Sequence, residues 1–184
     1  MDKGCLIFNH EREQGYYVSV VDNTNRSEAA YWVDDFLHLE RRQDAYFQTE
    51  NALNMCRNYL AEQLPTDFEV SRADQVDMLN RSLTYFQKEP KFQLDTFERE
   101  VIAQPEVIDK FNQYRRRYQD ERQLALAEDF DVNPTAVKKQ TRAFKSVIKL
   151  DKNFHVYVHG SRDMIEQGED EHGKYYKLYY HEES

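Results

Sequence analysis

The spacing of apolar residues along the chain changes period twice. GCLIFN (residues 4–9) and YYVSVVDN (16–23) are short apolar, β-branched runs joined by the polar HEREQG. That pattern predicts a β-hairpin or two neighbouring strands. From residue 26 the spacing becomes helical. NRSEAAYWVDDFLHLERR gathers Ala29, Ala30, Val33, Phe36 and Leu37 near one face, with Ser27 as N-cap. DAYFQTENALNMCRNYLAEQLP spaces Tyr46, Leu53, Cys56 and Leu60 helically and is expected to end at Pro65. A third helix starts at Ser71, carries Val76, Leu79, Leu83 and Phe86 on one stripe, and stops before Pro90. QLDTFEREVIAQ and PEVIDKFNQYRRRYQDE predict two more, the second opened by Pro105 in its first turn.

After Lys145 the period falls to two. Phe154, Val156 and Val158 alternate with His155, Tyr157 and His159, the mark of a half-buried strand. KYYKLYYHE (174–182) is a further strand, preceded by EQGEDEHG as a turn or edge strand. The expected fold class is α+β: N-terminal strands in residues 1–25, helices in 26–146 and C-terminal strands in 147–184, a single domain. The terminal strands, both needing partners, are expected to share one sheet. A strand so near the start also predicts further chain upstream.

Charge sharpens one region. The chain carries 34 Asp and Glu against 25 Lys and Arg, a net charge of −9. Yet residues 134–152 hold six basic residues (Lys138, Lys139, Arg142, Lys145, Lys149, Lys152) and one acid, Asp151, which leaves −14 on the rest. Such a balance argues against a general polyanion binder, because long-range repulsion opposes it; any nucleic-acid contact has to be a local patch. On one continuous helix, 138, 142, 145 and 149 would form a single stripe.

Two local readings of this region stay open. ALAEDFDVNPTAVKK has helix-turn-helix spacing: Ala127 where two helices meet, Asp131 in the turn, Val132 after it, Asn133 capping a second helix with Pro134 in its first turn, and Val137 inside it. Gln140 is then a candidate adenine reader. Many unrelated helical pairs share that spacing. The plainer reading is a connecting helix docked on the core by Ala136, Val137, Ala143, Phe144 and Val147. A second basic cluster, Arg115, Arg116 and Arg117, fans around its helix, with Asp120 and Glu121 placed for intrahelical pairs. A structural role is favoured there over a secondary DNA contact.

Other chemistry finds little footing. His155 and His159 point to the same side of a strand but lack a short-spaced carboxylate or cysteine to complete a metal site. Asp34 with Asp35, and Glu169, Asp170 and Glu171, read as solvated charge. Cys5 and Cys56 lack the neighbours of an activated thiolate and suit a reducing compartment. There is no Gly-rich phosphate loop, nucleophile elbow or HExxH. No enzyme, metal or cofactor is expected. No apolar run approaches membrane-spanning length, so a cytoplasmic protein without a membrane partner is expected.

AVKKQTRAFKSVIKLDKNFHVYVHGSRDMIEQGEDEHGKYYKLYYHEE resembles the C-terminal end of the bacterial nucleoid-associated protein family of the NdpA/YejK type, most closely its Bacteroidetes branch. The likeness continues through KGCLIFNHEREQGYYVSVVDNTNRSEAAYWVDDFL and FEVSRADQVDMLNRSLTYF, with SVIKLDKNFHVYVHG its most specific piece. The resemblance implies a nucleoid protein associated with double-stranded DNA, corresponding to the C-terminal half of a longer family chain. It carries no position-by-position set of DNA contacts. Lys138, Lys139, Arg142, Lys145 and Lys149 are therefore candidates on charge alone, for weak and largely sequence-independent backbone binding. The rival expectation is an assembly module docking on itself or on another nucleoid protein, with DNA held by the missing half.

Overall fold

The computed structural model describes residues 3–9, 15–22, 31–40, 42–144, 146–159 and 162–183. The chain divides into two compact units, Met1–Arg42 and Gln43–Ser184. The α+β class holds: strands, a helical middle, then strands.

In the first unit β1 (Lys3–Phe8) pairs antiparallel with β2 (Tyr17–Asp22), Lys3 opposite Asp22 and Phe8 opposite Tyr17. The helix expected behind Ser27 is reduced, among the described residues, to a wide π-type turn at Tyr31–Phe36, closed by His38 at φ +50°. Ser27, Ala29 and Ala30 lie outside those residues. Phe36, expected on a core face, is 59 % exposed and stacks on Trp32 at 4.9 Å.

The second unit is built on helices whose signals were clear. Asp44 caps α1 (Ala45–Asn58) by accepting from the Phe47 N–H at 3.0 Å. Pro65 does not stop the chain. Tyr59–Gln63 winds as a π-type segment, and Pro65 falls in the first turn of α2 (Leu64–Asp67), where its missing N–H costs no helical bond. Ser71 and Asp74 form a reciprocal capping box on α3 (Arg72–Lys88). Val76, Leu79 and Phe86 are buried along it, and it ends before Pro90 as expected. The short strand β3 (Lys91–Gln93) leads into α4 (Leu94–Phe97), a π-type continuation at Glu98–Ile102, and α5 (Pro105–Arg122), which closes on Gln123 in the left-handed region.

Past α5 the helix-turn-helix expectation fails. Residues 124–128 form no regular helix, and β4 (Asp129–Asp131) pairs antiparallel with β3, Phe92 opposite Phe130. Asp131, assigned to a turn, is a strand residue opposite Lys91. The cause is aromatic. Phe130 stacks on Phe92 at 4.9 Å, and Phe92 belongs to a cluster with Tyr85, Phe86, Phe97 and Phe111 at the centre of the unit. Burying that ring in register with β3 leaves no room for a first helix ending near Ala127.

Helix α6 (Pro134–Gln140) follows, then a 3-10 turn (Thr141–Ala143) and two hairpins: β5 (Val147–Leu150) with β6 (Phe154–Tyr157), and β7 (Ile165–Asp170) with β8 (Gly173–Leu178). The EQGEDEHG segment thus supplies most of β7 and its turn. Gly168 lets the Tyr175 ring lie across it: a Cβ there would meet the tip of that ring at 2.5 Å and push the exposed side chain aside. A small second cluster of Ala73, Val76, Ile148, Val158 and Ile165 docks both hairpins on α3. Phe154, expected to face inward, is 63 % exposed at the outer end of β6. The terminal strands do not share a sheet. Among the described residues every strand pairs within one of four two-stranded sheets, β1–β2, β3–β4, β5–β6 and β7–β8.

Two outcomes follow from this packing. Phe97, 1 % exposed among four aromatic neighbours, is expected to cost about 3–5 kcal/mol as Phe97→Ala, read from urea unfolding. Asp74 receives hydrogen bonds from Ser71 and, at 2.6 Å, from Arg162. Burial pushes its carboxyl up, but these bonds and the Arg162 charge outweigh it and hold the pKa below its ordinary value. A carboxyl depressed on folding contributes stability that is complete above its unfolded pKa and lost as pH falls through the folded one. Melting temperature measured below about pH 4 should therefore fall more steeply for wild type than for Asp74→Asn.

Candidate nucleic-acid interface

The basic region begins at a well-anchored helix start. The Asn133 side chain accepts from the N–H groups of Thr135 (3.0 Å) and Ala136 (3.1 Å), and its own N–H donates to Thr49 Oγ1 at 2.9 Å. The cap therefore ties α6 to α1. Ala136 and Val137 are buried, which turns Lys138 and Lys139 outward. This is the docked connecting helix of the plainer reading, with one change: Ala143 is exposed, while Phe144 and Val147 are buried as expected.

The single helical stripe does not form. Regular helix stops at Gln140, the 3-10 turn ends at Ala143, and Phe144 turns the chain towards β5. Phe144 is buried in the main core and Val147 and Ile148 are buried in β5, and these placements require extended chain after the turn. Lys149 consequently lies on a strand, opposite His155. Lys145 lies outside the described residues.

The remaining cations differ sharply. Lys139 Nζ sits 3.0 Å from Tyr46 Oη and 3.2 Å from Glu50 Oε1. The hydrogen bond to Tyr46, then that to Glu50, holds its ammonium above the ordinary lysine pKa. Gln140, the candidate base reader, donates to the same Glu50 oxygen at 3.2 Å. Both are committed to α1. Lys138, Arg142 and Lys149 are exposed and make no ion pair or side-chain hydrogen bond among the described residues.

The second basic cluster divides as its fan predicted. Arg115 is buried, donating to the Leu126 carbonyl at 3.1 Å and pairing with Glu128 at 3.4 Å, so it clamps the extended strap to α5. Arg117 donates to Gln63 Oε1 at 2.8 Å, lies over the Tyr114 ring, and is 3.9 Å from Glu121. Arg116 is exposed.

The outward side of the β5–β6 hairpin was not foreseen as part of a basic surface. Cross-strand register and the two-residue period put Lys149, His155 and Tyr157 on one face, and Tyr157 is 67 % exposed. The alternation and a strand from residue 147 were visible in the sequence, but which strand Lys149 would pair with, and so its place opposite His155, was not.

Among the described residues no group of three or more His, Cys, Asp or Glu is placed to hold a metal, and no helix is long and apolar enough to cross a membrane. Cys5 is exposed; Cys56 is buried, and burial pushes its thiol far up. Asp170, in the acidic run, accepts from the His172 N–H at 2.8 Å and so shapes the β7–β8 turn.

Residues 1–172 match the family model described as nucleoid-associated protein YejK. No curated protein and no solved structure matches the chain.

The contrast between clamped and exposed cations is measurable. Arg115→Ala strands the buried Leu126 carbonyl and is expected to cost about 2 kcal/mol or more. Arg142→Ala should stay within about 0.5 kcal/mol of wild type. Chemical denaturation of the two variants side by side checks both.

Proposed function

The chain belongs to the family of nucleoid-associated protein YejK, and from that premise we propose that it binds double-stranded DNA by the phosphate backbone, without base reading and without catalysing a reaction. Its place would be the cytoplasm, at the nucleoid. The observation that supports this most directly is that Lys138, Arg142 and Lys149, from the basic stretch of a chain of net charge −9, are exposed and make no ion pair or side-chain hydrogen bond among the described residues. Lys138 and Arg142 are four residues apart at the end of α6. Lys149 shares its face with His155 and the exposed ring of Tyr157.

Three phosphate contacts give modest affinity and a definite salt signature. Each contact releases counterion, so log K should fall against log salt with a slope of about −3. Lys139, paired with Glu50, should add little to it, and Arg115 nothing.

A second reading has its own support. In β1 three successive large residues are exposed, Leu6 at 67 %, Ile7 at 65 % and Phe8 at 50 %. Exposed apolar surface on a two-stranded sheet with an unpaired edge is characteristic of an interaction site. On that reading the chain is an assembly module, docking on itself or on another nucleoid protein.

Fluorescence anisotropy with a short random duplex at several salt concentrations tests the DNA reading. Wild type is expected to bind at low salt with the slope above. Lys138→Glu/Arg142→Glu, still folded by circular dichroism, should lose most of the affinity and about two units of slope. Absence of wild-type binding at low salt would overturn the DNA reading for this chain and leave the assembly reading in its place.

A further inference from the structure

Between the end of α3 and the start of α6 lies an open cleft of about 340 Å³. Its floor is apolar, formed by Phe86, Val132 and Val137, and its rim carries Lys88 and Lys138 beside a single acid, Glu89. A volume of this size accepts one large side chain, and the rim favours an anion next to it. Neither lysine makes an ion pair among the described residues.

The chain itself contains a segment of matching chemistry. After β8, Tyr179 is held by the Met164 carbonyl and by Glu166, but Tyr180 is 70 % exposed and is followed by His181, Glu182 and Glu183, all exposed. An aromatic ring with two carboxylates close behind it is complementary to an apolar floor with two ammonium groups on the rim.

Its own cleft is out of reach. Met164 ends the 3-10 turn whose Arg162 pairs with Asp74, in the first turn of α3. The cleft is at the other end of that helix. Asp74 and Lys88 are separated by about 21 Å at the helical rise per residue, whereas Tyr180, whose ring would have to reach the floor, directly follows the anchored Tyr179.

We infer that the Tyr180–Glu183 tail of one copy docks in the α3–α6 cleft of a second copy, Tyr180 on the apolar floor and Glu182 and Glu183 against Lys88 and Lys138. This rests on the assembly reading and names its partner. Tail into cleft is a head-to-tail contact, so each copy keeps a free cleft at one end and a free tail at the other. Association continues past the dimer unless two copies seat each other's tails and close.

Sedimentation velocity of the full chain over a concentration range, at low salt and without DNA, is the test. Wild type is expected to show concentration-dependent species larger than the monomer, a closed dimer included. Removal of residues 180–184, which leaves every described strand and helix intact, should weaken association by roughly tenfold or more. Lys88→Glu/Lys138→Glu should do the same, and adding Glu182→Lys/Glu183→Lys to it should restore association by reversing the charges on both sides. A synthetic peptide of residues 178–184 should compete. Persistence of the larger species in the truncated chain would overturn tail docking while leaving the assembly reading standing on β1. A wild type that remains monomeric throughout would overturn tail docking, and with it self-association as the form the assembly takes.

Discussion

The stack of Phe130 on Phe92 fixes more of the second unit than any other contact. It requires residues 129–131 to run as a strand beside β3, and this in turn determines how the chain leaves α5 and where it enters α6. Two polar clamps hold the approach. Arg115 takes the Leu126 carbonyl, while the Gln48 side chain donates to the Ala125 carbonyl and accepts from the Ala127 N–H. With the strap fastened at both α1 and α5, Asn133 arrives at Thr49 and caps α6 against α1. The position of Lys138 and Arg142 is thus inherited from the packing of half-buried Phe130 on buried Phe92 rather than set by charge.

That inheritance explains how an acidic protein keeps a few basic groups available. The acids nearest the basic helix are not spread evenly against it. Glu50 alone engages Lys139 and Gln140, and the other outward cations of the turn are left in water. Beyond about 8–10 Å the net charge of −9 is largely screened at ordinary ionic strength, so what a phosphate meets at close range is the local set. The same screening limits how far three cations can draw DNA from a distance, which is why the expected binding is weak and short-ranged.

Much of this architecture was legible in the sequence, and the failures share a cause. Ser71 with Asp74 three residues later, Pro105 at a first turn and the Val76–Leu79–Phe86 stripe each state a local preference that tertiary packing then reinforces. The capping of α6 by Asn133 was equally plain. What escaped notice was decided by long-range partners. Asp129–Asp131 is a three-residue strand with a single apolar residue, too short to show a period, and only its pairing with β3 makes it a strand. The basic stripe that needed one continuous helix to Lys149 did not form, because Phe144 and Ile148 have separate cores to fill, which no window of the sequence reveals. At the candidate site, sequence picked out cations of which Lys138, Lys139, Arg142 and Lys149 are exposed, but not which of them would be engaged. The partners of Lys139, Tyr46 and Glu50, are some ninety residues away.

Lys138 connects the two surfaces proposed for this chain, and it cannot serve both at once. It lies on the rim of the α3–α6 cleft and also supplies one of the three outward cations. A tail carboxylate seated there takes the place of a phosphate, so docking withdraws one contact from DNA and DNA withdraws one rim charge from docking. By linkage the two effects are equal in free energy: whatever factor DNA removes from tail affinity, the tail removes from DNA affinity. Arg142 and Lys149 lie outside the cleft lining and are untouched by the exchange. Association and DNA binding would therefore oppose each other by the worth of a single cation, a coupling small enough to tune the balance between bound and assembled chains without abolishing either state.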